Sequence, residues 1–376
     1  MPAAADRNVS PASVAPVLTV RAVRAVGVDV PMTYALGTSA ARITTAPLVL
    51  VDLETEEGVT GRSYLFCFSP ALVPVILRMI ETAAAVVTGD KVAPVDLWDK
   101  LARRFKLIGV TGVVRMALSA IDVAAWDALA IAAGQPLARF IGASLRPIPA
   151  YNSCGLGLMA PQAVADEAEK LLAGGFRAIK LRLGYPSLAA DLAALHAVRK
   201  RVPGDIAVMV DYNQALTLAQ ALERGRALDQ EGIYWLEEPI RHDDYAGNAR
   251  LVRDLATPVQ IGENFNLVSG MAAALDAGAA DYVMPDLDRI GGVTGFMQAA
   301  ALAAARGIAM SSHLFPEVSA HLLAATPTAH WLEYMDWAAP VVAEPLEIVD
   351  GHALAPDRPG NGLVWNPDAV ARYRIA

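Results

Sequence analysis

The stretches IAVMVDYNQ at residues 206–214 and IYWLEEP at 233–239 share one design, a short apolar or β-branched run that ends on a carboxylate. Such runs read as buried strands. Working outward, six more short apolar or β-branched runs follow: Ile148 to Ser153, Arg177 to Leu183, Val259 to Glu263, Asp281 to Asp286, Ile308 to His313 and Ala329 to Glu333. Alanine-rich segments of helical period separate them. Eight strands alternating with helices predict an α/β fold built on a parallel barrel, a modified (β/α)8-type TIM barrel.

The residues before it have a different rhythm. Leu18 to Val30 and Leu48 to Leu53 alternate like antiparallel strands, with a polar loop through Gly37 to Thr45 and a turn at Glu56-Glu57-Gly58. From Pro70 to Leu137 the period becomes helical. Val114 to Ala133 puts Met116, Ile121, Ala124, Ala125 and Leu129 near one stripe, and Gly134-Gln135-Pro136 stops that helix. The expected division is a disordered extension at 1–16, an N-terminal α+β capping domain at 17–145, the barrel at 146–332, and a segment at 333–376 that packs back on the capping domain.

The composition excludes several function classes. The chain has 376 residues, 55% of them apolar and 19% charged, enough for a large core. A formal net charge of -8 disfavours nucleic acid, which needs a basic surface. Two cysteines, Cys67 and Cys154, make no disulfide framework, and a cytoplasmic setting is the expectation. Met1 to Pro16 lack the basic and apolar regions of a signal peptide, and no membrane association is expected from the short, interrupted alanine-rich stretches.

Polar residues end nearly every predicted strand: Ser153, Lys180 and Arg182, Asp211 with Asn213, Glu237, Glu263, Asp286, His313 and Glu333. In parallel barrels that rim is where active sites form. From Asp211 the successive steps to Glu237, Glu263, Asp286 and His313 are 26, 26, 23 and 27 residues, about one βα unit each. Asp211, Glu237 and Glu263 would repel one another unless a cation sat among them, and an all-oxygen set selects a hard divalent ion such as Mg2+. Alternation lets only one of Glu237 and Glu238 face the mouth, so a two-carboxylate glycosidase is a weak reading. Asp286 and His313 end adjacent strands, where the carboxylate can orient the ring, making His313 a candidate base. The other five histidines have no such partner at a strand end. Gly291-Gly292-Val293-Thr294-Gly295 lacks the full dinucleotide spacing and reads as a close-packed turn.

Together these motifs resemble the enolase superfamily, in its mandelate racemase subgroup. The resemblance rests on 210–214, 235–239, 262–264, 284–286, 290–295, 311–315 and 319–333, extends into the first domain through 45–50 and 63–66, and covers roughly residues 20 to 370. It implies that Asp211, Glu237 and Glu263 bind magnesium, that His313 with Asp286 is a general base, and that Lys180 neutralises the carboxylate of a small-molecule substrate. It further implies that Glu333 donates a hydrogen bond to that carboxylate and that Ser153 and Asn213 contact substrate oxygens. Leu36, Ala40, Ile43, Phe66 and Phe68 would cap the mouth and select the side chain, with Arg42 in the same loop hinting at a polar distal group. A homo-oligomer, octameric by resemblance, is implied as well.

One departure matters. The subgroup's Lys-x-Lys is here Lys180-Leu181-Arg182. Using a guanidinium as a base near neutrality costs on the order of 8 kcal/mol. Three activities therefore stand: racemisation of a 2-hydroxy acid by 1,1-proton transfer, which the apolar cap favours; acid-sugar dehydration with His313 as the single base, which tolerates Arg182; and a non-catalytic metal-binding relative.

Overall fold

A computed structural model describes residues 17–39 and 41–376. The expectations for 1–16 and for Ala40 lie outside the described residues. Three antiparallel strands open the fold, β1 (Val20–Gly37), β2 (Arg42–Thr55) and β3 (Thr60–Phe66), in the order β1-β2-β3. The polar stretch read as a loop through Thr45 is mostly strand. Past a register shift between Pro31 and Leu36 the β1–β2 pair resumes, with Leu36 opposite Ile43 and Gly37 opposite Arg42. Proline has no N–H to give to a ladder, so the irregularity begins where Pro31 stands.

Three helices follow, α1 (Val73–Val87), α2 (Pro94–Arg104) and α3 (Gly112–Ala132). With the turn before it, α1 forms an apolar stretch, Pro70–Val87, long enough by composition to cross a membrane, yet Val73, Ile76 and Ile80 are buried with the strand residues Val49, Val51 and Leu65. α3 is buried on nearly every side: beyond its apolar stripe, Arg115, Ser119, Asp122 and Asp127 are also buried. A helix buried all round lies between two layers, and α3 lies between this sheet and the barrel.

The barrel comprises β4 (Ile148–Asn152), β5 (Ala178–Arg182), β6 (Ala207–Asp211), β7 (Leu236–Glu237), β8 (Val259–Ile261), β9 (Tyr282–Val283), β10 (Ala309–Met310) and β11 (Leu332–Tyr334). They pair in parallel in chain order from β4 to β10, and β11 pairs with β4. Met310 bridges Ala329, and Ser312 N–H donates to the Trp331 carbonyl at 3.0 Å, which closes the ring. Seven helical crossovers join the eight strands. After β11 the chain forms a hairpin, β12 (Glu347–Val349) and β13 (His352–Leu354), with β13 antiparallel to β4. It then runs to the first domain, where Asn361 N–H donates to Asp127 at 2.5 Å and Trp365 Nε1 to Asp52 at 2.8 Å.

The later strands are shorter than the sequence runs predict, because polar rim residues leave the ladder to bond elsewhere. Asp286 caps the short helix Leu287–Ile290 through the N–H groups of Asp288 and Arg289. Over the mouth, Leu158 N–H donates to the Gly37 carbonyl at 3.0 Å, pinning the β1–β2 tip to a barrel loop. A Cβ on Gly157 would lie 2.4 Å from the Gly37 nitrogen, so only glycine permits that approach. Gly292, with φ of 67°, touches Asp122 of α3 in the same way, consistent with a close-packed turn.

Candidate active site

Asp211 and Glu237 are register partners at the ends of β6 and β7, and Glu263 stands two residues beyond β8. Carboxylate oxygens of the three lie within 4.8 Å of one another. Asp211 accepts from the Asn213 backbone N–H at 2.7 Å and from Asn213 Nδ2 at 2.9 Å, and Glu237 accepts from Trp235 Nε1 at 2.9 Å. These fixed donors hold the acids in place while three anionic oxygen donors converge, a set that fits a hard divalent cation. Glu237 is the member of its pair that joins the cluster. Glu238 has φ of 34°, which breaks strand alternation, so it too is buried and takes both its oxygens to Asn264 Nδ2 at 2.9 Å.

His313 stands beside this cluster. Its Nδ1 lies 2.6 Å from Asp286 Oδ2, and its Nε2 lies 3.3 Å from Glu263 Oε2. The other Asp286 oxygen accepts from the backbone of 288 and 289, so the orienting carboxylate is itself fixed. Burial alone would depress the imidazole, but Glu263, Glu333 and Asp286 outweigh it and raise the pKa to about 9. None of the other five histidines lines the cavity.

Lys180 and Arg182 enter from β5. Lys180 Nζ reaches Glu237 at 2.5 Å, Glu333 at 2.8 Å and Asp211 at 3.4 Å. Burial opposes its charge, yet these three carboxylates raise its pKa, so it stays an ammonium. Arg182 donates from one terminal nitrogen to the carbonyls of Ser153 at 2.9 Å and Gly155 at 2.7 Å, and from the other to Ser153 Oγ at 2.9 Å.

Two roles differ from expectation. Glu333 accepts from Ser153 Oγ at 2.7 Å, from Lys180, and from Leu314 N–H at 2.9 Å. Burial opposes ionisation there, but Lys180 and His313 hold the carboxyl well below its usual range, and in this structure it accepts all three bonds. Ser153 is fully buried and does not line the cavity, because Glu333 and Arg182 engage its hydroxyl.

A cavity of about 340 Å³ opens over these groups. Lys180, Arg182, Asp211, Asn213, Glu263, His313 and Glu333 form its floor, and the expected Leu36, Ile43, Phe66 and Phe68 are on its rim. Arg42 is exposed and outside it. Sequence reading missed Met335 and Trp337, which complete the apolar rim, and Arg289, whose guanidinium donates to the Glu263 carbonyl at 3.0 Å and lies 5.0 Å over the Phe68 ring. The one available signal for Arg289 was its place in the first turn after Asp286.

The sequence matches the family described as mandelate racemase / muconate lactonizing enzyme, N-terminal domain, over residues 19–142, and the enolase C-terminal domain-like family over 163–369. A 3,6-anhydro-alpha-L-galactonate cycloisomerase of Streptomyces coelicolor is 32% identical over 87% of this chain and 91% of its own length. An L-talarate/galactarate dehydratase of Salmonella typhimurium is 31% identical over 87% of this chain and 82% of its own. Among solved structures, an enolase from Bradyrhizobium complexed with magnesium and mandelic acid superimposes with a TM-score of 0.92 at 39% identity, covering 96% of this chain and 100% of that one. A magnesium-bound enolase from the alpha proteobacterium BAL199 gives 0.93 at 43% identity, covering 95% and 100%. No match here singles out mandelate racemase itself, and these curated relatives are a cycloisomerase and a dehydratase. The chain belongs to the enolase superfamily, within its mandelate racemase and muconate lactonizing enzyme subgroup.

Proposed function

We propose that the protein is a magnesium-dependent enzyme that takes the α-proton from a 2-hydroxy carboxylate with His313 as its single base. The neighbouring hydroxyl then leaves, giving a 2-keto-3-deoxy acid. The observation that carries this reading is the state of the β5 side chains. Lys180 is an ammonium among three carboxylates and Arg182 is a donor fastened to two carbonyls, so neither can take a proton on the side away from His313.

Asp211, Glu237 and Glu263 would hold the cation, which when bound supplies the positive charge that makes a proton next to a carboxylate removable. The protein's own groups do the rest. Asp286 keeps His313 Nδ1 protonated, and a cation held on Glu263 would remove the charge that most favours a second proton on the ring, so that Nε2 would face the substrate as the acceptor. The C2–H bond breaks towards Nε2, the ring returns that proton to the C3 hydroxyl, and the C3–O bond breaks with release of water. The remaining enol becomes the 2-keto acid. Lys180 offsets the negative charge that builds up on the substrate carboxylate.

Racemisation is the second reading. The apolar rim and the mandelic acid in the Bradyrhizobium relative favour it. One experiment separates the two: incubation with magnesium and a panel of 2-hydroxy acids and acid sugars in deuterated water. Release of a 2-keto acid supports elimination. Deuterium at C2 of both enantiomers without loss of water overturns it in favour of racemisation, and silence across the panel overturns both.

A further inference from the structure

We infer that Asp191 is a positioning residue for the metal site, acting through Tyr212 to keep Asp211 and Glu237 where a divalent cation needs them. The inference rests on Asp211, Glu237 and Glu263 as the magnesium site and holds whichever reaction follows.

Asp191 lies in the first turn of the helix Leu188–Arg201, outside the cavity and with 0% exposure. A buried carboxylate is stable only with its oxygens bonded. Oδ1 accepts the backbone N–H groups of Gly184 at 3.0 Å and Tyr185 at 2.9 Å, in the loop after β5. Oδ2 accepts from Arg224 at 2.6 Å and from the Tyr212 hydroxyl at 2.8 Å. Arg224 and the two loop N–H groups already compensate the carboxylate. The Tyr212 bond differs from these, because the other end of that residue is active-site backbone.

Tyr212 stands between Asp211 and Asn213, and its ring is fully buried. Its N–H donates to the Glu237 carbonyl at 3.1 Å, and its carbonyl accepts from Ala215 N–H at 3.1 Å. Two of the three metal ligands are therefore attached to one residue, Asp211 by the peptide bond and Glu237 by the hydrogen bond. The next two residues, Asn213 and Gln214, take φ of 43° and 64°, a left-handed conformation that persists in non-glycine residues only where the surroundings hold the chain. Asn213 also donates twice to Asp211, so a slack turn would release the Asp211 carboxylate as well. Asp191 supplies the fixed point, since the hydroxyl is the one polar atom of the Tyr212 ring and Asp191 is its partner. Carboxylates gathered for a cation repel one another until it arrives, and bonds behind the ligands that resist this spread typically carry roughly ten- to a hundredfold in metal affinity.

Calorimetric titration with Mg2+ tests this on variants beside the unaltered protein. Tyr212→Phe removes the hydroxyl and keeps the ring; its magnesium affinity is expected to fall roughly tenfold or more. Asp191→Asn turns one acceptor oxygen into a donor and is expected to lose at least as much. Tyr185→Phe is the control, since the Tyr185 hydroxyl bonds the Met159 backbone, in the loop after β4 that carries no metal ligand. Its magnesium affinity is expected to match that of the unaltered protein. Unchanged affinity in Tyr212→Phe overturns the inference. So does an equal fall in Tyr212→Phe and Tyr185→Phe, which would mean a general loosening of the barrel loops. If Asp191→Asn does not fold, Tyr212→Phe and Tyr185→Phe decide between these outcomes without it. Failure of the unaltered protein to bind magnesium overturns the metal site and this inference together, whereas binding that ignores Tyr212→Phe overturns this inference alone.

Discussion

Thr294 and Asp122 meet where the capping domain touches the barrel: the threonine hydroxyl donates to Asp122 Oδ1 at 2.5 Å and its backbone N–H to Oδ2 at 2.9 Å. Asp122 belongs to a polar stripe on α3. Arg115 donates to Asn266 Oδ1 at 2.6 Å, Ser119 to the Asp288 carbonyl at 2.9 Å, and Trp126 to Thr294 Oγ1 at 2.9 Å. Spaced by four, three and four residues, the stripe lies along one helix face. The barrel segment it grips carries Asp286 and Arg289.

Replacing Asp122 with alanine leaves two half-buried donors of Thr294 without that acceptor. Loss of roughly 2–3 kcal/mol of stability is expected, read as a lower denaturant midpoint. A shift within error would mean that the stripe does not hold the two domains together.

Asp286→Asn should keep the helix cap through the remaining oxygen but present an amide to His313, with the wrong tautomer or orientation as the result. Deuterium incorporation at C2 is expected to slow by on the order of 10³-fold with the fold unchanged. Near-normal exchange would remove His313 and Asp286 as the base and its orienter.

Added magnesium should raise the melting temperature. At a free concentration a hundredfold above its dissociation constant the gain is about 2.7 kcal/mol. Glu263→Gln removes one anionic oxygen donor from the cluster and is expected to blunt that response in a thermal scan. An equal response in the variant would place the cation elsewhere.

His321, buried in the helix Pro316–Ala324, accepts the Ala138 N–H on Nδ1 at 3.3 Å, which fixes a neutral ring. Burial depresses its pKa from 6.5 to about 4. Between those values the unfolded chain binds the proton and the folded protein does not. Its contribution is therefore complete above pH about 6.5 and falls away as pH drops towards 4, by on the order of 3 kcal/mol. His321→Gln should flatten stability over that window; an unchanged acid profile would assign the sensitivity to other groups.

Much of the barrel and its acid cluster could be read from the chain because each βα unit delivers one strand end to the same rim, so regular spacing becomes adjacency. Other features depend on what the strand end meets. Ser153 sits at a strand end as expected, yet Glu333 and Arg182 close over its hydroxyl. Met335 and Trp337 reach the mouth only because β11 closes the ring against β4 and β10, a long-range event that no local pattern encodes. On α3 the apolar period was visible and the polar stripe was not, since a search for hydrophobic repeats passes over a buried arginine and aspartate.

The contact of Gly37 with Gly157 has a consequence for how such a protein can change. Leu36 and Ile43, two of the six apolar residues over the cavity, lie on a ribbon whose anchorage to the barrel includes a backbone contact, Leu158 N–H to the Gly37 carbonyl, that does not depend on their side chains. Exchanging those side chains can redirect the catalyst to a different molecule while the proton-moving parts below stay as they are, provided both glycines are kept.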